Sequence, residues 1–170
     1  MLNEPTTEKL QALRLHGMLQ AWQEQGRQAE MAQLGFDERF ALLVEAEWLR
    51  RENERLARNL REAKLRLSHA CLEDYAARRE LDRAQIRQLA TCRWGAAHHN
   101  ILITGATGTG KTFVACALAQ HACRHGYRAV YRRASRLLDE LTLARADGSY
   151  ARLLSRLAHI DVLVIDDFAL

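Results

Sequence analysis

Apolar residues in the first half of the chain recur with the period of a helix. Leu10, Leu13, Met18, Leu19 and Trp22 predict a first helix that starts near Thr6 or Thr7 and fades near Gly26. Leu49, Leu56, Leu60, Ala63 and Leu67 follow at spacings of seven, four, three and four. That stripe predicts a longer helix from Glu38 to about Leu67, with Asp37 as its N-cap. A third helix begins after Asp82 and ends near Thr91. The single proline, Pro5, lies just ahead of this stretch, and Leu, Ala, Glu, Arg and Gln dominate it as they do helices. Residues 1–94 therefore read as an all-helical region.

Past Trp94 the texture changes to short β-branched runs alternating with helical ones, which places a boundary near Gly95. Asn100-Ile101-Leu102-Ile103-Thr104 predicts a strand that runs into Gly105. Thr112 to His125 reads as a helix stopped by Gly126, and Ala129-Val130-Tyr131 as a second strand. Ala134 to Ala144 reads as a helix, and Asp147-Gly148 as a turn. Val162-Leu163-Val164-Ile165 predicts a buried strand ending in Asp166-Asp167. Strand, helix, strand, helix, strand implies a parallel α/β sheet over residues 95–170.

The glycine after the first run opens Gly105-Ala106-Thr107-Gly108-Thr109-Gly110-Lys111-Thr112, which satisfies G-x-x-x-x-G-K-[ST]. Glycines let successive backbone N–H groups turn inward around phosphates, where a Cβ would obstruct them. Lys111 is placed to neutralise the β and γ phosphates, and the Thr112 hydroxyl to ligate Mg²⁺. The helix that starts there points its positive end at the anion. Asp166, delivered by an apolar strand, suits a Mg²⁺ ligand, and Asp167 a carboxylate that orients attacking water. ATP with Mg²⁺ is the expected cofactor. No guanine-reading N-K-x-D element is visible, which is suggestive of ATP over GTP.

A net charge of +4 favours polyanions only mildly. Arg50, Arg51, Arg55, Arg58, Arg61 and Arg66 project mainly from the side of the long helix opposite its apolar stripe, and could follow the phosphates of double-stranded DNA. The competing reading is a solvated face held by pairs such as Glu47 with Arg51, Glu54 with Arg58, and Arg58 with Glu62. Residues alone leave the two even. Cys71, Cys92, Cys116 and Cys123 form no C-x-x-C pair and no zinc-like spacing, as expected of reduced thiols in a cytoplasmic protein. His121 and His125 stand one helical turn apart, with no third ligand evident at a suitable spacing. No window reaches the roughly 18 apolar residues of a membrane span, so no membrane partner is expected.

With these residues in view, the chain resembles the IstB-type insertion-sequence ATP-binding transposition helpers, grouped with the DnaC-like helicase loaders among AAA+ ATPases. The resemblance runs through Leu10-Gln11-Ala12-Leu13-Arg14-Leu15-His16-Gly17-Met18, Arg50-Arg51-Glu52-Asn53 and Leu89-Ala90-Thr91-Cys92-Arg93-Trp94. It continues through Asn100 to Gly105, Asp147-Gly148-Ser149-Tyr150 and Val164-Ile165-Asp166-Asp167-Phe168. It implies an AAA+ P-loop module behind a helical N-terminal domain that contacts DNA, partners and other subunits. The implied protein is an ATPase that assembles as a homo-oligomer on double-stranded DNA and recruits or activates a transposase. A replicative helicase loader and a non-catalytic DNA-binding adaptor are the alternatives. Ala106 stands where the family commonly shows proline. The chain stops at Leu170, after the acidic strand, where the family continues through the sensors and the arginine finger. The strand carrying the first sensor lies between the phosphate-loop strand and the acidic strand in AAA+ sheets. The resemblance therefore implies a truncated member that lacks a central strand and hydrolyses ATP poorly.

Overall fold

A computed structural model describes residues 4–74 and 83–168. Two compact units divide between Arg55 and Leu56, so the change in composition near Gly95 falls inside the second unit.

In the first unit the apolar pattern of residues 6–26 folds as two helices, α1 (Glu4–Ala12) and α2 (His16–Gln25). Arg14 takes a left-handed φ of 57°, its N–H donates to Gln11 O, and Leu15 N–H donates to Leu10 O. That pair of bonds is the closure that ends helices, here with arginine where glycine is usual, so the periodicity continues while the helix does not. A 3₁₀ turn (Ala29–Gln33) leads to the long helix α3 (Phe36–Ala63). It starts at Phe36 because Gly35 stands before the first turn and the Glu38 carboxylate accepts its N–H at 3.0 Å. Asp37 thus lies inside the first turn and is not the N-cap. The helix ends at Ala63, short of Leu67, where Lys64 adopts a φ of 49°.

The helix α2 has no cap from its own flank; Leu15 in that position makes no side-chain bond. Glu47 of α3 supplies it instead. Its Oε2 accepts the N–H groups of Gly17 at 2.8 Å and Met18 at 3.2 Å. A carboxylate there satisfies two first-turn donors and sits at the positive end of the helix dipole. The approach is possible because residue 17 is glycine: a Cβ would stand 2.8 Å from Ala46 O and 3.0 Å from Glu47 Cα. Arg50 and Arg51 close on the same carboxylate at 2.7 and 2.6 Å. The Arg50 hydrogen bond is the main reason the Glu47 carboxyl falls to about 2, with Arg51 and the two N–H groups adding to it against the opposing effect of burial.

The second unit holds α4 (Arg83–Ala90), α5 (Arg93–Ala96), α6 (Lys111–Arg124), β1 (Ala129–Arg133), α7 (Ala134–Ala146), α8 (Tyr150–Ala158) and β2 (Val162–Asp166). The last turns of α3 belong here as well: Leu56, Leu60 and Ala63 pack with Ala119, Cys123 and Ala129. Asn59 donates to Tyr127 O at 3.2 Å from a buried position. Strands β1 and β2 pair in parallel, from Ala129 beside Val162 to Arg133 beside Asp166. The fold is a parallel-sheet P-loop module of the AAA+ kind behind a helical region. The helix α8 lies in a stretch for which the sequence reading gave no element.

Two further expectations are corrected. Residues 100–104 are not a strand: Ile101 and Ile103 pack on the core while Leu102 is 86% exposed, the alternation of a strand without a ladder partner among the described residues. A strand needs a neighbour for its N–H and C=O groups, and β1 and β2 pair with each other instead. Nor is β2 buried on both faces. Val162 and Val164 reach the core, whereas Leu163 and Ile165 are 38% and 41% exposed, so the unbroken apolar run is covered on one side only. No helix among the described residues is long and apolar enough to cross a membrane.

Candidate nucleotide site

The loop from Gly105 to Gly110 leads directly into α6, whose first residue is Lys111. Gly105, Gly108 and Gly110 have φ of 153°, 82° and 89°, a region L side chains rarely enter. At Gly105 a Cβ would also meet Thr109 Oγ1 at 3.1 Å. Gly110 occupies the N-cap position of α6 and offers no side-chain oxygen to its first turn. The loop's shape is held from within, because Thr109 Oγ1 donates to Ala106 O at 2.8 Å. Ala106 and Thr107 are exposed.

The Lys111 ammonium donates to Gly105 O and Ala106 O, both at 2.9 Å, and so lies folded over the loop. One residue on, Thr112 Oγ1 lies 3.0 and 3.2 Å from the two carboxylate oxygens of Asp166. The helix start and the end of β2, 54 residues apart in sequence, are thus joined by a hydroxyl and a carboxylate. These are hard oxygen donors of the type that Mg²⁺ takes. The chemistry of the set fits a triphosphate held by backbone, lysine and a hard cation.

Two residues that the sequence reading did not assign to the site also reach Asp166. Tyr131 of β1, itself buried, donates its phenol to Oδ2 at 2.6 Å, and Arg66 Nη1 stands 3.8 Å from the same oxygen. Burial works to raise the Asp166 carboxyl, but the hydrogen bonds from Tyr131 and Thr112, helped by Arg66, outweigh it and keep it below the usual range. Conversely, burial and the Asp166 carboxylate push the Tyr131 phenol up. Neither residue has a spacing that a motif would flag, since strand pairing and chain reversal bring them there. Asp167 departs from β2 with a left-handed φ of 54°, and its carboxylate lies 3.6 Å from Arg133 Nε. Beside the loop, an apolar cleft of about 650 Å³ runs from Gly105 and Lys111 along Ile101, Ile86, Leu89 and Leu118.

The arginine candidates separate in the structure. Arg50 is held by Glu47, by Glu54 at 2.6 Å and by Arg14 O at 3.2 Å; Arg51 is held by Glu47; Arg55 pairs with Glu52 at 2.6 Å. Arg58 and Arg61 are exposed. The expected Glu47 with Arg51 pair is present, whereas Glu54 turns to Arg50.

A glycine loop between an extended apolar segment and a helix, with a carboxylate at the end of a parallel strand facing the helix's second residue, defines a P-loop nucleotide-binding module. Residues 8–170 match the IstB-like ATP binding protein family, and the chain belongs to it. It is 46% identical over 172 residues to the insertion sequence IS1162 ATP-binding protein of Pseudomonas fluorescens, covering 100% of this chain and 74% of that protein. An insertion sequence ATP-binding protein of Sinorhizobium fredii is 43% identical, with 100% of this chain and 70% of the relative covered. One in a Mycobacterium tuberculosis insertion sequence is 36% identical over 95% of this chain and 64% of its own length.

Proposed function

We propose that this chain binds ATP with Mg²⁺ at the Gly105–Thr112 loop and acts as a transposition helper that assembles as a homo-oligomer on double-stranded DNA and engages a transposase. The observation that carries the nucleotide reading is the meeting of Thr112 Oγ1 with the Asp166 carboxylate at 3.0 Å, beside a loop whose glycines leave the backbone open. The family and the names of its relatives support the insertion-sequence role.

Each residue has a task in this reading. The loop glycines let N–H groups face the phosphates, and α6 directs its positive end at them. Lys111 lies over the loop through its bonds to Gly105 O and Ala106 O, and its remaining N–H is available to a phosphate oxygen. Thr112 and Asp166 hold Mg²⁺, which when bound neutralises charge on the β and γ phosphates. Tyr131 and Arg66 keep Asp166 ionised and aimed. The apolar cleft along Ile86, Leu89 and Ile101 receives the base. Asp167 orients the attacking water, and the exposed Arg58 and Arg61 contribute to the DNA surface.

The test is nucleotide-dependent DNA binding by the full chain, with and without a non-hydrolysable ATP analogue, sized by light scattering. We expect saturable, Mg²⁺-dependent nucleotide binding that is lost in Lys111→Ala, and larger particles on DNA when the analogue is present. Nucleotide binding unchanged in Lys111→Ala would overturn the site, and DNA assembly indifferent to nucleotide would overturn the role.

A further inference from the structure

The far end of the helix that begins at the phosphate loop carries a second group of chemically capable side chains. His121 and His125 stand one turn apart at the end of α6, with ring centroids 4.5 Å apart. The fold supplies what their sequence neighbourhood lacks, a third donor: Cys92, from the segment between α4 and α5. One donor atom from each of Cys92, His121 and His125 lies within 4.8 Å of the others, and this is the one such trio of potential metal ligands among the described residues.

In each of the two imidazoles one ring nitrogen is engaged by a backbone carbonyl. His121 Nε2 lies 2.8 Å from Ala90 O, and His125 Nδ1 lies 3.0 Å from His121 O. A carbonyl can only accept, so in each ring that nitrogen carries the proton and the other presents a lone pair. Ligating histidines are oriented in this way, by donating their second ring N–H to a carbonyl. In His121 the remaining atom, Nδ1, is buried and has no hydrogen-bond partner among the described residues, a costly state for a polar atom. Cys92 is 3% exposed and holds a left-handed φ of 53°, a conformation that costs a non-glycine residue about 1 kcal/mol or more. Its backbone is held on both sides, since Cys92 N–H donates to Leu89 O at 3.1 Å and Cys92 O accepts from Gly95 N–H at 3.0 Å.

We propose that Cys92, His121 and His125 form a zinc site, with water completing a tetrahedron. A thiolate and two neutral imidazoles match the ligand preferences of Zn²⁺. Zinc bonds of about 2.0–2.3 Å place ligand atoms roughly 3.3–3.7 Å apart, so the trio must contract slightly. The exposed His125 side chain can supply that movement. Binding replaces the proton of the Cys92 thiol, which burial pushes up in pKa and so keeps protonated without metal. The ion would pin the end of α6 to the Thr91–Arg93 segment, which precedes the phosphate loop in sequence.

The experiment uses the reduced, untagged full chain, stripped of metal and titrated with Co²⁺ and then Zn²⁺. We expect one Co²⁺ per chain, with a thiolate-to-cobalt charge-transfer band in the near ultraviolet and tetrahedral bands in the visible, displaced by one equivalent of Zn²⁺. The band should vanish in Cys92→Ser and persist in Cys71→Ser. Cys92 is buried and its replacement could unfold the unit, so His125→Ala at an exposed position is the second variant. It should keep the helical circular dichroism and bind zinc at least tenfold more weakly. No saturable binding at micromolar zinc, cobalt bound without a charge-transfer band, the band surviving in folded Cys92→Ser, or unchanged affinity in His125→Ala would each overturn the site.

Discussion

Replacing Glu47 by glutamine separates two roles that the arginine face can play. Glu47 is 6% exposed and caps α2 while neutralising Arg50 and Arg51. A carboxyl lowered from 4.5 to about 2 corresponds to at most about 3 kcal/mol of stability at neutral pH. Arg51 is 55% exposed and solvent screens its share, so we expect about 2 kcal/mol. Glutamine keeps an acceptor for the Gly17 and Met18 N–H groups but loses the charge. Because the folded value lies below the unfolded one, the stabilisation is complete above the unfolded pKa and is lost as pH falls from about 5 towards 2. Trp22 and Trp48 belong to the first unit and Trp94 to the second, so urea unfolding followed by tryptophan fluorescence in a Trp94→Phe background reads the right transition. Glu47→Gln should be destabilised at pH 7 and approach the parent near pH 2.5. A deficit that stays constant across this range would mean that packing, not charge, is what Glu47 provides, and a deficit below about 0.5 kcal/mol at pH 7 would refute the cap.

Gly17→Ala should cost about 1–3 kcal/mol in the same unfolding assay, since its Cβ meets backbone at 2.8 Å that cannot swing aside. Tyr131→Phe removes the 2.6 Å bond to Asp166 and should cost about 1–2 kcal/mol at pH 7. The Asp166 carboxyl is depressed in the folded chain, so this deficit should shrink as acidification protonates it, a trend that thermal melts at graded pH can read. Asp166→Asn should weaken ATP binding roughly tenfold with Mg²⁺ present and little without it, as measured by calorimetry. Arg58→Ala and Arg61→Ala should each lower DNA affinity and reduce the salt slope by about 1 without loss of stability, whereas Arg50→Ala should lower stability.

The legible parts of this fold are those set by local chemistry. The phosphate loop, α4, α6, α7, β1 and the end of β2 follow from glycine spacing, apolar periodicity and stop signals close in sequence. The misread parts are those that depend on a partner. Residues 100–104 have a strand's composition and even its alternation, but composition cannot supply a neighbouring ladder. The break at Arg14 escaped because arginine is an uncommon occupant of a left-handed helix end. The division at Arg55 lies within an unbroken helix, where no change in composition marks it. Around Asp166, the approach of Thr112 could be anticipated from the motif and the acidic strand, while those of Tyr131 and Arg66 could not. Their places come from parallel pairing and from helix packing across tens of residues.

The same long-range placement explains why α6 organises this unit. The loop-bearing segment before it has no ladder bond to β1 or β2, so sheet hydrogen bonds do not align the loop with Asp166. What aligns them is α6, which buries Val114, Ala117 and Leu118 against the cluster that includes Tyr131 and Val164, and ties Thr112 to Asp166 at its first turn. A triphosphate and Mg²⁺ held at that turn would bridge the loop and β2 directly, so nucleotide should raise the unfolding temperature of this unit more than its contacts with the loop alone would provide. Asp166→Asn should abolish that Mg²⁺-dependent increment while leaving the smaller rise from loop contacts. An equal rise in both proteins would place the bound nucleotide on the loop only and leave β2 outside the site.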